Sequence, residues 1–549
     1  MTVRPIHVFV AAVALTLLNA AKPAVVDDTA YLLFARHLSE QPLSPYGWQL
    51  FWFDAPQPAM EVLLPPVLPY WLSLGVRLFG EHLFLLKLWL FPFAWLLCWA
   101  VAALLKRFGR VGRSRRERQS EDRLSARVGH PTGWLFLVFV CSPAVLPLFN
   151  FMLDIPALAL GAAALALFIS GTDRQSLWRC AAAGLLAGLA TQAKYSMLVM
   201  PVVLAAYAIL IGRSWRAVGG LVVAGVVALS LFAGWELWLL SVHGESHFLH
   251  HLQAKTDGSP KPALVKPMMG QFGGLLCGLA LVAGRAAGWP GWVRVSGGAG
   301  VVGLLAMVAF VPHRWDTATG TVDLALVGFL ACGIGATFTC GMPAFRLLKN
   351  ERHRDSVFLL AWVAVEVAGM FALSPFPAAR RLVGVCLAAT VLVAHGLGRL
   401  GVRPERWAVG VAVSVGGFLF VVDCWDAFPE KVLTERAAAM AQPDPGETVW
   451  YTGHWGFQYY AERHGMRAIE PTTRFRAGDW LVLPDGPPGR PAGVARPDGV
   501  RFKVVAELEW NDWLRVRTIP ALYGGPMPMT GADGPRLRVL VARVTATSR

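Results

Sequence analysis

Runs of about twenty mostly apolar residues follow one another through most of this chain, separated by short basic clusters, and this recurrence limits its fold more than any other feature. Candidate spans lie at residues 6–22, 83–105, 132–149, 155–171, 178–193, 196–212, 217–241, 272–288, 295–311, 322–345, 356–374, 382–398 and 407–423, about thirteen in all. Charged residues make up 15% of the 549, and apolar residues 55%. A soluble domain is about a quarter charged. So apolar a chain cannot cover itself for water, whereas lipid suits it. The N-terminal run, Arg4 followed by apolar Ile6 to Ala21, has the form of a signal peptide, but the many later spans make it an uncleaved first helix.

The formal charge of +15 would suit nucleic acid, but the location of the charge argues against that partner. Lys and Arg sit in short clusters between apolar runs, as the positive-inside rule describes. The run 62–80 is short, begins near Pro65 and Pro66, and carries Arg77, so it reads as interfacial. With it on the interface, Arg4, the basic loop 106–130, and the loops holding Arg174 and Arg179, Arg213 and Arg216, Arg285 and Arg294, Arg346 through Arg354, and Arg399 through Arg406 all fall on one side. That side is expected to be cytoplasmic. The opposite face then carries residues 23–82, the turns near Asp154 and Lys194, loop 242–271, loop 312–321, turn 375–381 and the tail.

The tail from residue 424 is charged and rich in Pro and Gly. ETVWYTG and DWLVLP read as strands, and GFQYYAERHG as a helix ended by Gly465. Residues 484–500 read as a loop. The expected fold is therefore an all-α polytopic membrane bundle over residues 1–423, with interfacial helices in its first outside loop. A small extracytoplasmic α/β domain follows over 424–549. Cys98, Cys141, Cys180, Cys277, Cys332, Cys340, Cys386 and Cys424 lie almost entirely in apolar runs, none in a CxxC spacing, so no disulfide framework is expected. Gly184 and Gly188, four apart, predict a close helix–helix approach.

Several charged residues fall on the expected outer face. Asp27 and Asp28 follow the first span, and Asp27 shares a helix face with Tyr31. A carboxylate there could be a general base, hold a divalent cation, or cap the helix. Asp154 lies in NFMLDIPAL, where Pro156 also suits a helix start. Lys194 lies in LATQAKYSM and could bind phosphate or act as a helix-end charge. Arg380 and Arg381 break the charge rule, and paired guanidiniums bind phosphate oxygens well. His243, His247, His250 and His251 cluster beside Glu245 without an HExxH pattern, and read as an interfacial, substrate-gating loop rather than a metal site. No P-loop, Rossmann fingerprint or nucleophile elbow is present, which removes P-loop ATP hydrolysis and ordinary serine hydrolysis.

VDDTAYLLFARHL, PPVLPYWLSLGVRLFGE, SPAVLPLFNFMLDIPALALG, GLLAGLATQAKYSMLVMPV and ARRLVGVCLAATVLVA resemble, in order and spacing, segments of the C-type membrane glycosyltransferases. The similar branch holds protein O-mannosyltransferases, the lipid A aminoarabinose transferase and many bacterial relatives. The resemblance covers most of residues 1–215 and a patch near 375–395. It implies an inverting glycosyltransferase in the cytoplasmic (inner) membrane with its active site facing the periplasm. The donor would be a sugar on polyprenyl phosphate, and the acceptor a hydroxyl of a lipid, glycan or protein. The catalytic acid maps onto Asp27 or Asp28, the second loop acid onto Asp154, and the phosphate-binding cations onto Lys194 and Arg380 or Arg381. Tyr31 would contact substrate, and a divalent cation stays open. Some relatives carry a Lys before the Pro-Pro element; Leu64 and Pro65 stand there in this chain. Residues 242–374 carry no motif. Two other readings stay open: a transporter or lipid flippase using Glu236 and Glu366 within apolar runs, and an assembly protein whose tail binds partners.

Overall fold

The computed structural model describes residues 3–52, 55–109, 131–254, 261–311, 314–317, 320–350, 354–374, 376–485, 500–532 and 534–547. Most of the basic loop 106–130, most of the loop 484–500, and parts of loop 312–321 and of the Arg346-to-Arg354 loop lie outside these residues. The chain is mostly helical. Among the described residues, eight helices are long and apolar enough to cross a membrane: Leu83–Phe108, Asp154–Asp173, Tyr195–Gly212, Trp215–His243, Gly291–Phe310, Leu324–Leu348, Arg354–Leu373 and Arg406–Met440. Pro5–Ala20, Val67–Phe79 and Val383–Arg399 are shorter apolar helices. At 13 residues, Val67–Phe79 spans about 20 Å, short of the roughly 30 Å hydrocarbon core.

One expected span is not a continuous helix. Within 132–149 the helix covers only Thr132–Val140. Pro143 and Pro147 follow, and each removes an amide donor that a helix would need. A second is bent: Pro262–Leu275 and Cys277–Ala283 meet at 62°.

Asp154–Asp173 and Val383–Arg399 are buried along nearly their whole lengths and form the centre of the bundle. Trp215–His243 lies outside and exposes Val218, Val222, Val226 and Leu229. Such a contiguous apolar surface suits lipid. Leu177–Ala193 packs against it at Gly184, where Ala224 leaves no room for a Cβ. The small-residue spacing thus does what it predicted: it lets two backbones touch.

The last long helix, Arg406–Met440, runs on beyond the expected span and leads into a five-stranded mixed sheet. Its strand order is Arg467–Ala468, Val449–Tyr451, Trp480–Asp485, Leu537–Thr547, Val500–Trp510. The first three strands are parallel and the last two antiparallel. Helix Trp455–Arg463 ends before Gly465, which adopts φ 75°, a left-handed stop that glycine takes without strain. A second part of the tail, residues 519–529, folds back onto the bent helix pair. There Gln271 donates to the carbonyls of Ala521, Gly525 and Met527. Residues 242–374, silent as sequence, therefore hold the C-terminal segment.

Candidate active site

The first helix ends at Ala20, and the chain must turn before the next begins at Asp28. Val26 makes the turn at φ 51°, a left-handed conformation that a β-branched residue rarely adopts and that costs about 1–3 kcal/mol. Several bonds hold it there. Lys87, buried in its span, donates to the carbonyls of Lys22 at 2.7 Å and Pro23 at 3.2 Å. The Tyr460 hydroxyl accepts from the Ala24 amide, and Asp28 accepts from the Val25 amide.

This turn separates the two acids. Asp28 is fully buried and points inward, 3.9 Å from Lys87. Burial pushes its carboxyl pKa up, against the pull of Lys87 and Lys22. Asp27 faces a cavity and makes no side-chain cap bond. Its carboxylate accepts instead from Arg380 at 2.6 Å. Asp154 opens the central helix and pairs with Lys194, which stands where Leu177–Ala193 ends and the next segment begins. Lys194 is thus held inward by a carboxylate.

The cavity has a volume of about 500 Å³. Its polar side holds Asp27, Tyr31, Asp154, Lys194, Arg380 and Arg381. Four distant segments therefore deliver the sequence-predicted groups to one place, and Asp28 alone is turned away. The remaining lining is largely apolar and includes Leu63, Leu64, Leu373 and Phe376, together with Trp52, Trp455, Ile519, Pro520 and Tyr523.

The three cations are not equivalent. Burial opposes the Arg380 charge, but Asp27 and Asp154 outweigh it, so its pKa lies above the ordinary value. Lys194 is pushed down by burial, with Asp154 opposing. Arg381 has no carboxylate within ion-pair distance among the described residues. Its Nε is buried without a hydrogen-bond partner, and its guanidinium lies 4.1 Å from the Phe376 ring centre. Burial, and then Arg380, lower its pKa to about 10.

Both cavity carboxylates are engaged by cations. Among the described residues no group of three or more His, Cys, Asp or Glu could hold a metal. A divalent cation can be held by one or two carboxylates with water and a substrate phosphate, and Asp27 and Asp154 are the cavity carboxylates that could serve, each now bonded to a cation, Arg380 and Lys194.

The histidine cluster packs near the cavity rather than gathering around one point. His247 stacks on Tyr46, bonds the Tyr195 hydroxyl at 2.6 Å and reaches the Val62 carbonyl at 3.2 Å. Burial, then His251, depress its pKa well below the ordinary value. Glu236 anchors this segment by accepting from Tyr195, Ser246 and the Phe248 amide. Glu366 accepts from Trp362 within its own helix.

Sequence reasoning missed two groups. The first is a buried cluster behind the site. Lys22 is ion-paired with Asp423 and donates to Tyr523 at 2.9 Å, and Lys87 pins the turn before Asp27. Lys87 carried a signal, because a lone cation inside an apolar run is costly unless used. The second is the wall supplied by the tail, which had none.

No family model matches this sequence, and no curated protein matches it. Among solved structures, the Archaeoglobus fulgidus oligosaccharyltransferase in complex with zinc and sulfate aligns with a TM-score of 0.46 and 14% identity. The alignment covers 85% of this chain and 62% of that one, so this chain spans about three fifths of its length. ArnT from Cupriavidus metallidurans, bound to undecaprenyl phosphate, aligns with a TM-score of 0.44 and 13% identity over 98% of this chain and 97% of its own. At this level of likeness, function has to be argued from the site itself.

Proposed function

We propose that this protein is a glycosyltransferase that moves a sugar from polyprenyl phosphate to an acceptor hydroxyl, working at the outer face of the cytoplasmic membrane. The observation that carries the reading is Arg381. It is a half-buried guanidinium without a carboxylate, its Nε buried and unpartnered, in a cavity that also holds two ion pairs and apolar lining residues. A phosphate on a lipid tail meets both demands at once. The anion neutralises Arg381 and lies within the field of Lys194 and Arg380, while the chain runs along Leu373 and Phe376 into lipid.

The reaction follows from these positions. Asp27, oriented by Arg380, accepts the proton of the acceptor hydroxyl. The acceptor oxygen bonds to the anomeric carbon from the face opposite the phosphate. The bond between that carbon and the phosphate oxygen breaks, and its electron pair leaves with polyprenyl phosphate. Arg381 and Lys194 stabilise the negative charge that develops there. One displacement inverts the anomeric centre. Asp154 holds Lys194 toward the site, and no step needs a metal.

The test is sugar transfer from polyprenyl-phosphate donors by the purified protein, compared with Asp27→Asn. Transfer by the wild type, lost by at least about a hundredfold in the variant, supports the reading. Full transfer by Asp27→Asn removes Asp27 as the base.

A further inference from the structure

The tail contributes Trp455 to this cavity, in an unusual conformation. Trp455 has φ 60°, a left-handed value that costs a bulky residue about 1–3 kcal/mol. The residue is half-buried, while Gly456 through Ala461 behind it are buried. Its backbone is locked onto the turn that carries the base. The Thr29 hydroxyl donates to the Trp455 carbonyl, and Gly456 sits so tightly on the Ala24 carbonyl and Glu430 that a Cβ would not fit. Thr29 lies two residues beyond Asp27. The tail thus holds Trp455, on a strained backbone, half-buried in the lining of the cavity that Asp27 also faces.

We propose that Trp455 is a stacking platform for a pyranose ring, and so a specificity-determining residue of the transferase. The proposal rests on the functional reading above. With phosphate on Arg381 and Lys194, the sugar is one bond away and must occupy what remains of the cavity. The lining of this cavity includes Trp455, Trp52 and Tyr523. One face of a pyranose is made of C–H groups, and an aromatic face covers it while leaving the hydroxyls free for polar partners. The acceptor hydroxyl must also reach Asp27 close by. The ring on the indole is the donor's sugar or an acceptor sugar, and the chemistry of recognition is the same for both.

The test uses detergent-purified full-length protein and the variants Trp455→Phe, which keeps an aromatic face, and Trp455→Leu, which keeps apolar bulk without one. In the first arm, binding of undecaprenyl phosphate is compared with binding of undecaprenyl phosphate bearing glucose, mannose or galactose. In the second, methyl hexopyranosides are titrated into protein loaded with undecaprenyl phosphate. Trp455→Leu is expected to weaken one sugar-bearing ligand by about tenfold, with undecaprenyl phosphate binding unchanged and Trp455→Phe within about threefold of wild type. A loss in the first arm assigns the donor's ring, and a loss in the second assigns the acceptor's. Equal affinities for wild type and Trp455→Leu in both arms overturn the platform and leave the transferase reading intact. Failure of the wild type to bind undecaprenyl phosphate overturns both.

Discussion

Arg380 and Arg381 are neighbours in sequence with opposite bonding. Arg380 is bound to the Asp27 carboxylate at 2.6 Å, whereas Arg381 has no carboxylate partner among the described residues and a buried, unsatisfied Nε. Under the proposed function, the first positions the base and the second is left open for an anion.

This division predicts different defects. Arg380→Gln should lower kcat by about a hundredfold with a small effect on donor KM, because it frees the base. Arg381→Gln should raise donor KM, and Arg381→Lys should restore only part of the loss, since a lysine cannot make the same two-pronged contact. Steady-state kinetics with varied donor separate the two.

Asp27 and Asp28 should also differ. Asp27→Asn should remove activity and lower the thermal midpoint in detergent less than Asp28→Asn does, because Asp27 and its partner Arg380 are partly solvent-exposed. Asp28→Asn strips the carboxylate from beside buried Lys87, which costs on the order of 3 kcal/mol. Its midpoint should fall clearly. Thermal unfolding of both variants, beside activity, checks this.

For Asp154 and Lys194, each single neutralisation leaves a buried charge without its partner. Asp154→Asn and Lys194→Met should each destabilise the protein, and the double variant should recover much of that stability without recovering transfer. A double-mutant cycle on unfolding, with activity measured in parallel, tests it.

His247 gives a pH dependence. Its folded pKa is depressed by burial, so the folded state favours the neutral ring. Stability from this group is complete above the ordinary histidine value of about 6.5, and declines as pH falls through that value toward the depressed folded pKa. With exchange rates divided by the intrinsic base-catalysed rate at each pH, the helix His247–Ala254 should be less protected at pH 5.5 than at pH 7.5, and His247→Gln should flatten the difference. Hydrogen exchange at the two pH values measures it.

Much of the bundle was legible because lipid leaves a simple record: long apolar runs with basic clusters between them. What that record hides is breaks. Pro143 and Pro147 end a helix inside a run that hydropathy counts as continuous, and the 62° bend after Leu275 lies in an equally apolar stretch. The charged groups were legible because Asp154, Lys194, Arg380 and Arg381 stand where apolar runs stop, and the structure gathers them at one cavity. Which of Asp27 and Asp28 faces it was not legible. The answer depends on the left-handed Val26 and on Lys87, which is close only in space. Trp455 was illegible for the same reason: its place beside Thr29 is set by how the tail docks, and no local pattern encodes docking.

The central claim is that this cavity takes a lipid-linked phosphate on Arg381. The most direct measurement is the affinity of undecaprenyl phosphate for the purified protein and for Arg381→Gln. Saturable binding by the wild type, weakened at least about tenfold in the variant, is the predicted result. No binding by the wild type, or equal binding by both, would contradict it.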